Sequence, residues 1–311
     1  MKATTKISIC ICTFNEHRYL YKCITSLINQ SINQSNYEII ILDNSSNLNT
    51  DYYLKCKSIV EKYDNIHYIV KSTNGLSDAR NECIKNASYD YLHFLDDDVT
   101  VENNFIENII NSIKRNPNVQ IIGGKVIPNW NDCKRPKWLS DEGLSYLSML
   151  DFGDTEIFFG DIPGMYFVGA NIMFSRSILN LYNGFNCNLG RNGNNNGLLG
   201  SEENDIVFRA LKDGYKIKYV PSVVVHHAIR NERLNESWFI KRVAWQSVSD
   251  VLTNNLYMKE SGSWSNYKNG YTFLKETINK LFFESSNHKE FNDKIKTAKL
   301  LAFYMLNEFK E

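Results

Sequence analysis

Along the first 125 residues, apolar positions follow two rhythms in turn. Nearly unbroken apolar runs stand at 6–14 (KISICICTF), 37–43 (YEIIILD), 66–70 (IHYIV), 89–96 (YDYLHFLD) and 119–126 (VQIIGGKV). Between the first two, Leu20, Cys23, Ile24, Leu27 and Ile28 recur at spacings of three and four, which predicts a helix over 16–30. Further helices are expected at 51–63, 75–87 and 102–115. Strands that are apolar throughout are buried on both faces, and their alternation with helices predicts a mainly parallel sheet flanked by helices, an α/β fold. From 128 to 200 the pattern is less regular. It then returns as a helix at 202–213 and strands at YKIKYV and SVVVHH, and is helical from about 234 onward, including 271–283. No internal repeat is visible.

In open α/β sheets, ligands sit beyond the carboxyl ends of the strands. Three polar clusters fall there: Thr13-Phe14-Asn15-Glu16, Asp43-Asn44-Ser45 and Asp96-Asp97-Asp98. Each alone is what a turn or helix cap ordinarily uses. Adjacent carboxylates repel one another, however, so a site that gathers them needs a cation. Carboxylate oxygens are hard ligands suited to Mg²⁺ or Mn²⁺, which bind through one or two carboxylates plus substrate phosphates.

Composition narrows the class. Lys+Arg and Asp+Glu each number 35 in 311 residues, so the basic excess of a nucleic-acid binder is missing. No apolar run approaches the roughly 18 residues of a membrane span. The N-terminal MKATTKISICICTFNE lacks a secretory h-region. Seven scattered cysteines without a Cys-x-x-Cys pair suit a reducing cytosol, with Cys10 and Cys12 as small buried residues. The expected setting is cytoplasmic, with room for peripheral contact at the inner face of a membrane.

The motif order CTFNE, LDNSS, NGLSDARN, FLDDD, GAN…F…R, SEENDIVFRALKDG and VVVHH resembles the family 2 glycosyltransferases, whose fold is called GT-A. The likeness runs over about residues 5 to 245. It implies an inverting enzyme that moves a sugar from a nucleotide-diphosphate donor, a UDP-sugar, to a glycan or glycolipid acceptor, in bacterial surface polysaccharide or glycoconjugate assembly. By the same likeness, Thr13, Asn15, Glu16 and Asp43 hold the nucleotide, and Asp43 has the chemistry to accept a uracil N–H. Gly75 allows close backbone approach, and Arg80 can pair with phosphate or with one of the triplet carboxylates. Asp96 and Asp98 fall on the family's Asp-x-Asp, with Asp98 the direct ligand of Mn²⁺ or Mg²⁺, Asp97 the middle position and His227 close to the metal or diphosphate. Glu203, or its neighbour Glu202, stands where the family has its general base. Asp205 is removed from that competition by a helical ion pair with Arg209. Arg230, Arg233 and Arg242 are candidates to neutralise the departing diphosphate.

Two aromatic residues, Trp130 and Trp138, could stack on an acceptor sugar, although packing into a core is the commoner use of tryptophan. Processive family members carry Gln-x-x-Arg-Trp and membrane spans, and the chain departs from that pattern with only RVAW at 242–245. The Gly- and Asn-rich 190–200 is expected to be an active-site loop that orders with the donor. The domain division is expected at 1–232 (a nucleotide half to about 125, an acceptor half after it) and 233–311, a helical subdomain. A nucleotidyltransferase would share the sheet and the carboxylates but normally shows a Gly-rich loop after the first strand, and CTFNEHRYL has no glycine. A non-catalytic module docking through 234–311 is the other rival; that tail mixes acidic and basic residues without a basic face.

Overall fold

The computed structural model describes residues 5–130, 132–191, 197–253, 285 and 287–308. The predicted helix at 271–283 and residues 192–196 of the Gly/Asn-rich loop lie outside the described residues. The expected strands are β1 (Ile7–Thr13), β2 (Tyr37–Asp43), β3 (Ile66–Val70) and β4 (Tyr91–Asp96). Helices α1 (His17–Ile28), α2 (Asp51–Val60) and α3 (Leu76–Asn86) join them. The first two strands are buried almost end to end, and α1 turns Leu20, Cys23, Ile24 and Leu27 onto them. Thr50 caps α2, its hydroxyl accepting from Tyr53 N at 3.1 Å.

Next come β5 (Val99–Val101), α4 (Phe105–Arg115), β6 (Val119–Asn129), β7 (Ile157–Phe158), β8 (Asn171–Ser175), α5 (Arg176–Leu181), α6 (Glu202–Lys212) and β9 (Lys216–Ala228). Helices α7 (Glu236–Leu252) and α8 (His288–Glu308) follow. The sheet runs β3-β2-β1-β4-β8-β6-β9-β5, with β7 also on β9. It is mostly parallel, as the apolar runs predict, but β8 is antiparallel to both β4 and β6, and β5 and β7 are antiparallel to β9.

One sequence expectation is corrected, and the choice between stacking and packing for two tryptophans is decided. The segments YKIKYV and SVVVHH form one strand, because the pairing of β6 with β9 skips from Gly124↔Val220 to Lys125↔Val224 and the bulge absorbs Pro221. Trp138 does not face the cavity; it packs in the core against Phe239 and Phe291, with centroids at 5.5 and 4.4 Å, and Trp130 is likewise packed against the core. Cys10 is buried and Cys12 half-buried, and among the described residues all seven cysteines are free.

The registers fix where chemistry can occur. Thr13 stands opposite Asp43, and Cys12 opposite Asp96, so the polar ends of β1, β2 and β4 meet at one edge. Val99 pairs with His227, which brings the end of β9 beside the aspartate triplet.

Candidate active site

That edge opens into a cavity of about 1130 Å³. Its walls include Thr13, Glu16, Gly75, Arg80, the three aspartates Asp96 to Asp98, Glu202 and Glu203. Residues 75–80, predicted from the sequence as part of the site, reach it because Gly75 takes φ 101° at the start of α3, a conformation that β-carbons disfavour. The helix then points Arg80 into a buried position. Its Nη1 donates to Glu202 Oε1 at 2.6 Å and its Nη2 to Asp96 Oδ1 at 3.3 Å. One guanidinium thus ties the aspartate end of the site to the glutamate end.

Asp98 is buried and heavily engaged. Arg230 donates to its Oδ2 through Nε at 3.1 Å and Nη2 at 2.8 Å; Arg233 Nη2 lies 3.5 Å from the same oxygen. His227 Nε2 is 3.2 Å from its Oδ1. Burial raises the Asp98 carboxyl, but the combined pull of His227, Arg233 and Arg230 overcomes it and holds the group well below the usual carboxylate range. Its neighbour goes the other way. Burial first, then the charge of Asp98, pushes Asp97 up to about 8, and Asp97 Oδ2 accepts the Thr13 hydroxyl at 2.6 Å. Arg230 also pairs with Glu16 across the cavity mouth.

Asp96, Asp98 and His227 offer ligand atoms within 4.8 Å of one another. Two hard carboxylates and an imidazole form a donor set that suits Mn²⁺ or Mg²⁺. The buried His227 Nδ1 has no hydrogen-bond partner, and arginine already supplies positive charge at Asp98. These residues fit a divalent cation.

The other end of the site is the start of α6. Ser201, left-handed at φ 69°, turns the chain so that Glu202 and Glu203 enter the helix side by side, both buried. Asn204 locks this turn to 167–169: Phe167 N donates to its Oδ1 at 3.0 Å, and its Nδ2 donates to Phe167 O at 2.8 Å. Glu202 is committed to Arg80. Glu203 accepts Gly169 N at 3.1 Å and stays 3.9 Å from Arg80 Nη1. Burial, and then the charge of Glu202, lifts the Glu203 carboxyl to about 8. Asp205 pairs with Arg209 at 2.7 Å, as the sequence spacing predicts.

Not every expected residue faces the cavity. Asp43 is sealed: Tyr68 donates to its Oδ2 at 2.6 Å, His17 Nε2 lies 2.9 Å from that oxygen, and Ser45 N donates to Oδ1 at 2.9 Å. Burial raises this carboxyl, and those hydrogen bonds bring it below its ordinary value. Its neighbours Asn44, Ser45 and Ser46 line the cavity instead. Asn15, at φ 58°, bonds back to Ser45 and Ser46 and shapes the rim. Arg230 and Arg233 meet the aspartates, whereas Arg242 donates to Gln246 Oε1 at 2.8 Å; burial lowers its pKa, with Glu203 the largest charge opposing that.

Several site residues carried no role in the sequence reading. Gly169 donates to Glu203 and leaves no room for a side chain, since a Cβ there would fall 2.1 Å from Arg80 Nη2. Asn171 Nδ2 donates to Lys125 O and Val223 O, both at 2.9 Å, stitching β8 across the bulge between β6 and β9. Both belong to the quoted GAN segment, which was the available signal. Trp238 lines the cavity where Trp130 and Trp138 do not.

Residues 8–182 match the family described as Glycosyl transferase family 2. The chain belongs to that family. This family 2 glycosyltransferase is 23% identical over 273 residues to a glucosyl-dolichyl phosphate glucuronosyltransferase of Haloferax volcanii, across 86% of this chain and 82% of the relative. It is 28% identical over 177 residues to the poly(ribitol-phosphate) β-N-acetylglucosaminyltransferase TarP of Staphylococcus aureus, covering 56% of this chain and 50% of that one. Among solved structures, the mannosyltransferase PcManGT of Pyrobaculum calidifontis with GDP-Man and Mn²⁺ overlays all of this chain and 89% of its own at TM-score 0.59 and 14% identity. S. aureus TarS 1–349 with UDP overlays 98% of this chain and 92% of its own at TM-score 0.57 and 13% identity. These likenesses show the GT-A fold. Among the described residues, no helix is long and apolar enough to cross a membrane.

Proposed function

We propose that the protein is an inverting, metal-dependent glycosyltransferase that takes a nucleotide-diphosphate sugar, a UDP-sugar, as donor and a saccharide or glycoconjugate hydroxyl as acceptor. One observation carries the reading: a divalent-cation donor set and a pair of buried glutamates face one cavity and are joined by Arg80. At about 1130 Å³ the cavity exceeds the range typical of a site for one small ligand, so donor and acceptor have room together.

Glu203 is the general base in this reading. A base must be able to take a proton at working pH, and a carboxyl lifted to about 8, with Arg80 Nη1 no nearer than 3.9 Å, meets that need better than one held by the same guanidinium at 2.6 Å. Glu202 positions Arg80. The acceptor hydroxyl gives its proton to Glu203 and attacks the anomeric carbon from the face opposite the diphosphate, in a single displacement. Asp98, Asp96 and His227 would hold Mn²⁺ or Mg²⁺, which supplies Lewis-acid stabilisation of charge on the departing diphosphate. Because Asp43 is sealed, base recognition falls to Asn44, Ser45 and Ser46. The printed ligands of the two structural neighbours, UDP and GDP-Man, and the glycan-building activities named for the relatives agree with this class of donor and acceptor.

The test is hydrolysis of, or transfer from, a panel of nucleotide sugars with Mn²⁺. Glu203→Gln should abolish turnover and leave UDP affinity unchanged, since the base acts on the acceptor. A fully active Glu203→Gln protein removes the assignment.

A further inference from the structure

Three cations of the cavity stand outside the ion pairs described so far. Arg80 is matched by Glu202 and Asp96, while Arg230 and Arg233 share Asp98, with Asp97 and Glu16 beside Arg230. A nucleotide-diphosphate brings about two negative charges, and a divalent cation brings two positive charges to meet them. Arg191, Lys241 and Arg242 are left over. All three line the cavity, and among the described residues none has a carboxylate within 4.0 Å.

Arg242 is the most telling of them. Its Nη2 donates to Gln246 Oε1 at 2.8 Å, and its Nη1 is buried with no hydrogen-bond partner. Gln246 cannot turn away, because its Nε2 donates to Ser201 Oγ at 2.9 Å and Asp250 Oδ1 at 2.8 Å. The guanidinium is therefore fixed against the start of α6, next to the base, with one edge unsatisfied. A buried donor left unpaired is costly, more so when it is charged. The negative charges that act on Arg242 are Glu203, Asp250 and Glu202, whereas those on Arg233 begin with Asp98. Through Gln246, which donates to Ser201 Oγ, Arg242 is tied to the residue before Glu202, at the acceptor end of the cavity. Arg191 and Arg242 repel one another, which an anion bound to both relieves, while Asp96, Asp98 and Glu202 attract Arg191.

We propose that Arg242, Arg191 and Lys241 form a phosphate subsite for the acceptor, so that the attacking hydroxyl belongs to a molecule carrying a phosphate ester. The inference rests on the glycosyltransferase reading and adds the class of acceptor. Arg191 and the pair Lys241 and Arg242 stand on separate segments, and a tetrahedral group with three free oxygens can meet several cations at once, whereas a planar carboxylate is satisfied by one bidentate fork. The ester can sit on a lipid carrier or on a soluble polyol or sugar phosphate; both present the same group to these side chains.

The experiment is calorimetric titration of inorganic phosphate into the full chain already saturated with UDP and Mn²⁺, so that the diphosphate position is filled. Phosphate is expected to bind, and Arg242→Gln to weaken it about tenfold or more, a loss of one charge-assisted contact. UDP affinity should not change. If Arg242→Gln fails to fold, Arg191→Gln gives the same reading, since Arg191 is tied to the fold by its carbonyl, which accepts Leu76 N. UDP binding without phosphate binding overturns the subsite and leaves the glycosyltransferase reading intact; absence of UDP binding sinks that reading itself. Equal weakening of UDP and phosphate by Arg242→Gln returns Arg242 to the donor and overturns the proposal. Transfer assays then compare a soluble glycosyl phosphate with a lipid-linked one in detergent micelles: preference for either over the unphosphorylated sugar supports the subsite and identifies the source, and equal use of the unphosphorylated sugar refutes it.

Discussion

Glu202→Gln should move the pH profile of the reaction toward acid. In the wild-type protein Glu203 is lifted to about 8, by burial first and then by the charge of Glu202. The base works ionised, so kcat/KM should rise with pH and level off above that value. The substitution removes the like charge, and it frees Arg80, whose Nη1 is 2.6 Å from Glu202 and 3.9 Å from Glu203, to turn to the remaining carboxylate. Both changes favour the ionised form of Glu203, so its pKa falls. Two unit charges about 5–6 Å apart at an effective dielectric near 20 interact by about 3 kcal/mol. At 1.36 kcal/mol per unit, that is a shift of about two pH units, to a midpoint near 6. Burial is untouched, so the midpoint should stay above the ordinary value for glutamate. At about pH 6 the wild-type base would be about 1% ionised and the variant's about half, a relative gain of about fifty-fold against each protein's own plateau. The assay is kcat/KM from about pH 5 to about pH 9 at fixed ionic strength. A midpoint that stays put or rises would refute the coupling. A dead Glu202→Gln protein alongside an active Glu203→Gln protein would exchange the two roles.

Three other substitutions test the surrounding parts. Arg230→Gln should raise Mn²⁺ affinity in the absence of nucleotide by about tenfold, because Arg230 occupies Asp98 Oδ2; weaker Mn²⁺ binding in calorimetry would contradict this. Gly169→Ala drives a Cβ to within 2.1 Å of Arg80 Nη2, so it should cost about 1–3 kcal/mol of stability and most of the activity; normal kinetics would show that Arg80 can move freely. Trp138→Ala should lower stability by about 2–4 kcal/mol through lost packing on Phe239 and Phe291. Trp238→Ala should leave the melting point near wild type and impair transfer, and the reverse pattern would reassign the two tryptophans.

Much of the nucleotide half was legible because its signals are local. Strands β1 to β4 are continuous apolar runs, and a sheet in which such runs alternate with helices has few alternatives. The aspartate triplet stood out because adjacent carboxylates demand a cation, and the ion pair of Asp205 with Arg209 followed from helical spacing alone. What stayed hidden depends on residues distant in the chain. Asp43 ends its strand as a nucleotide ligand would, yet Tyr68 and His17 close over it, and neither neighbours it in sequence. Strand β8 is five residues between an irregular stretch and α5, too short to be told from a loop by periodicity. The segments YKIKYV and SVVVHH read as two strands on either side of Pro221, and only the partner β6 shows that a bulge absorbs it. Trp138 and Trp238 have the same chemistry; which of them meets the cavity is set by how α7 and α8 pack.

The clustering of carboxylates at the end of β4, which would be costly in a bare cavity, is balanced by the protein's own side chains. Asp98 is matched by Arg230, Arg233 and His227, and Asp97, left with less compensation, is displaced upward in pKa. At the far end Glu202 is matched by Arg80, and Glu203 is the member displaced upward. The same device is used twice: of two adjacent acids, one is neutralised by arginine and the other is left able to exchange a proton. At Asp97 the Thr13 hydroxyl closes the arrangement, with Arg230 at 3.6 Å. At Glu203 the side chain accepts a hydrogen bond from the Gly169 backbone N–H, which fixes the carboxylate in direction without supplying a full charge. A base needs that combination, oriented but not neutralised, because a cation in contact would hold its pKa down and weaken its pull on the acceptor proton. The two ends therefore differ in their partners: arginine and histidine crowd the aspartates, as suits a group that binds cations and phosphates, whereas Glu203, held by the Gly169 amide with Arg80 at 3.9 Å, is the acid suited to the proposed role of base.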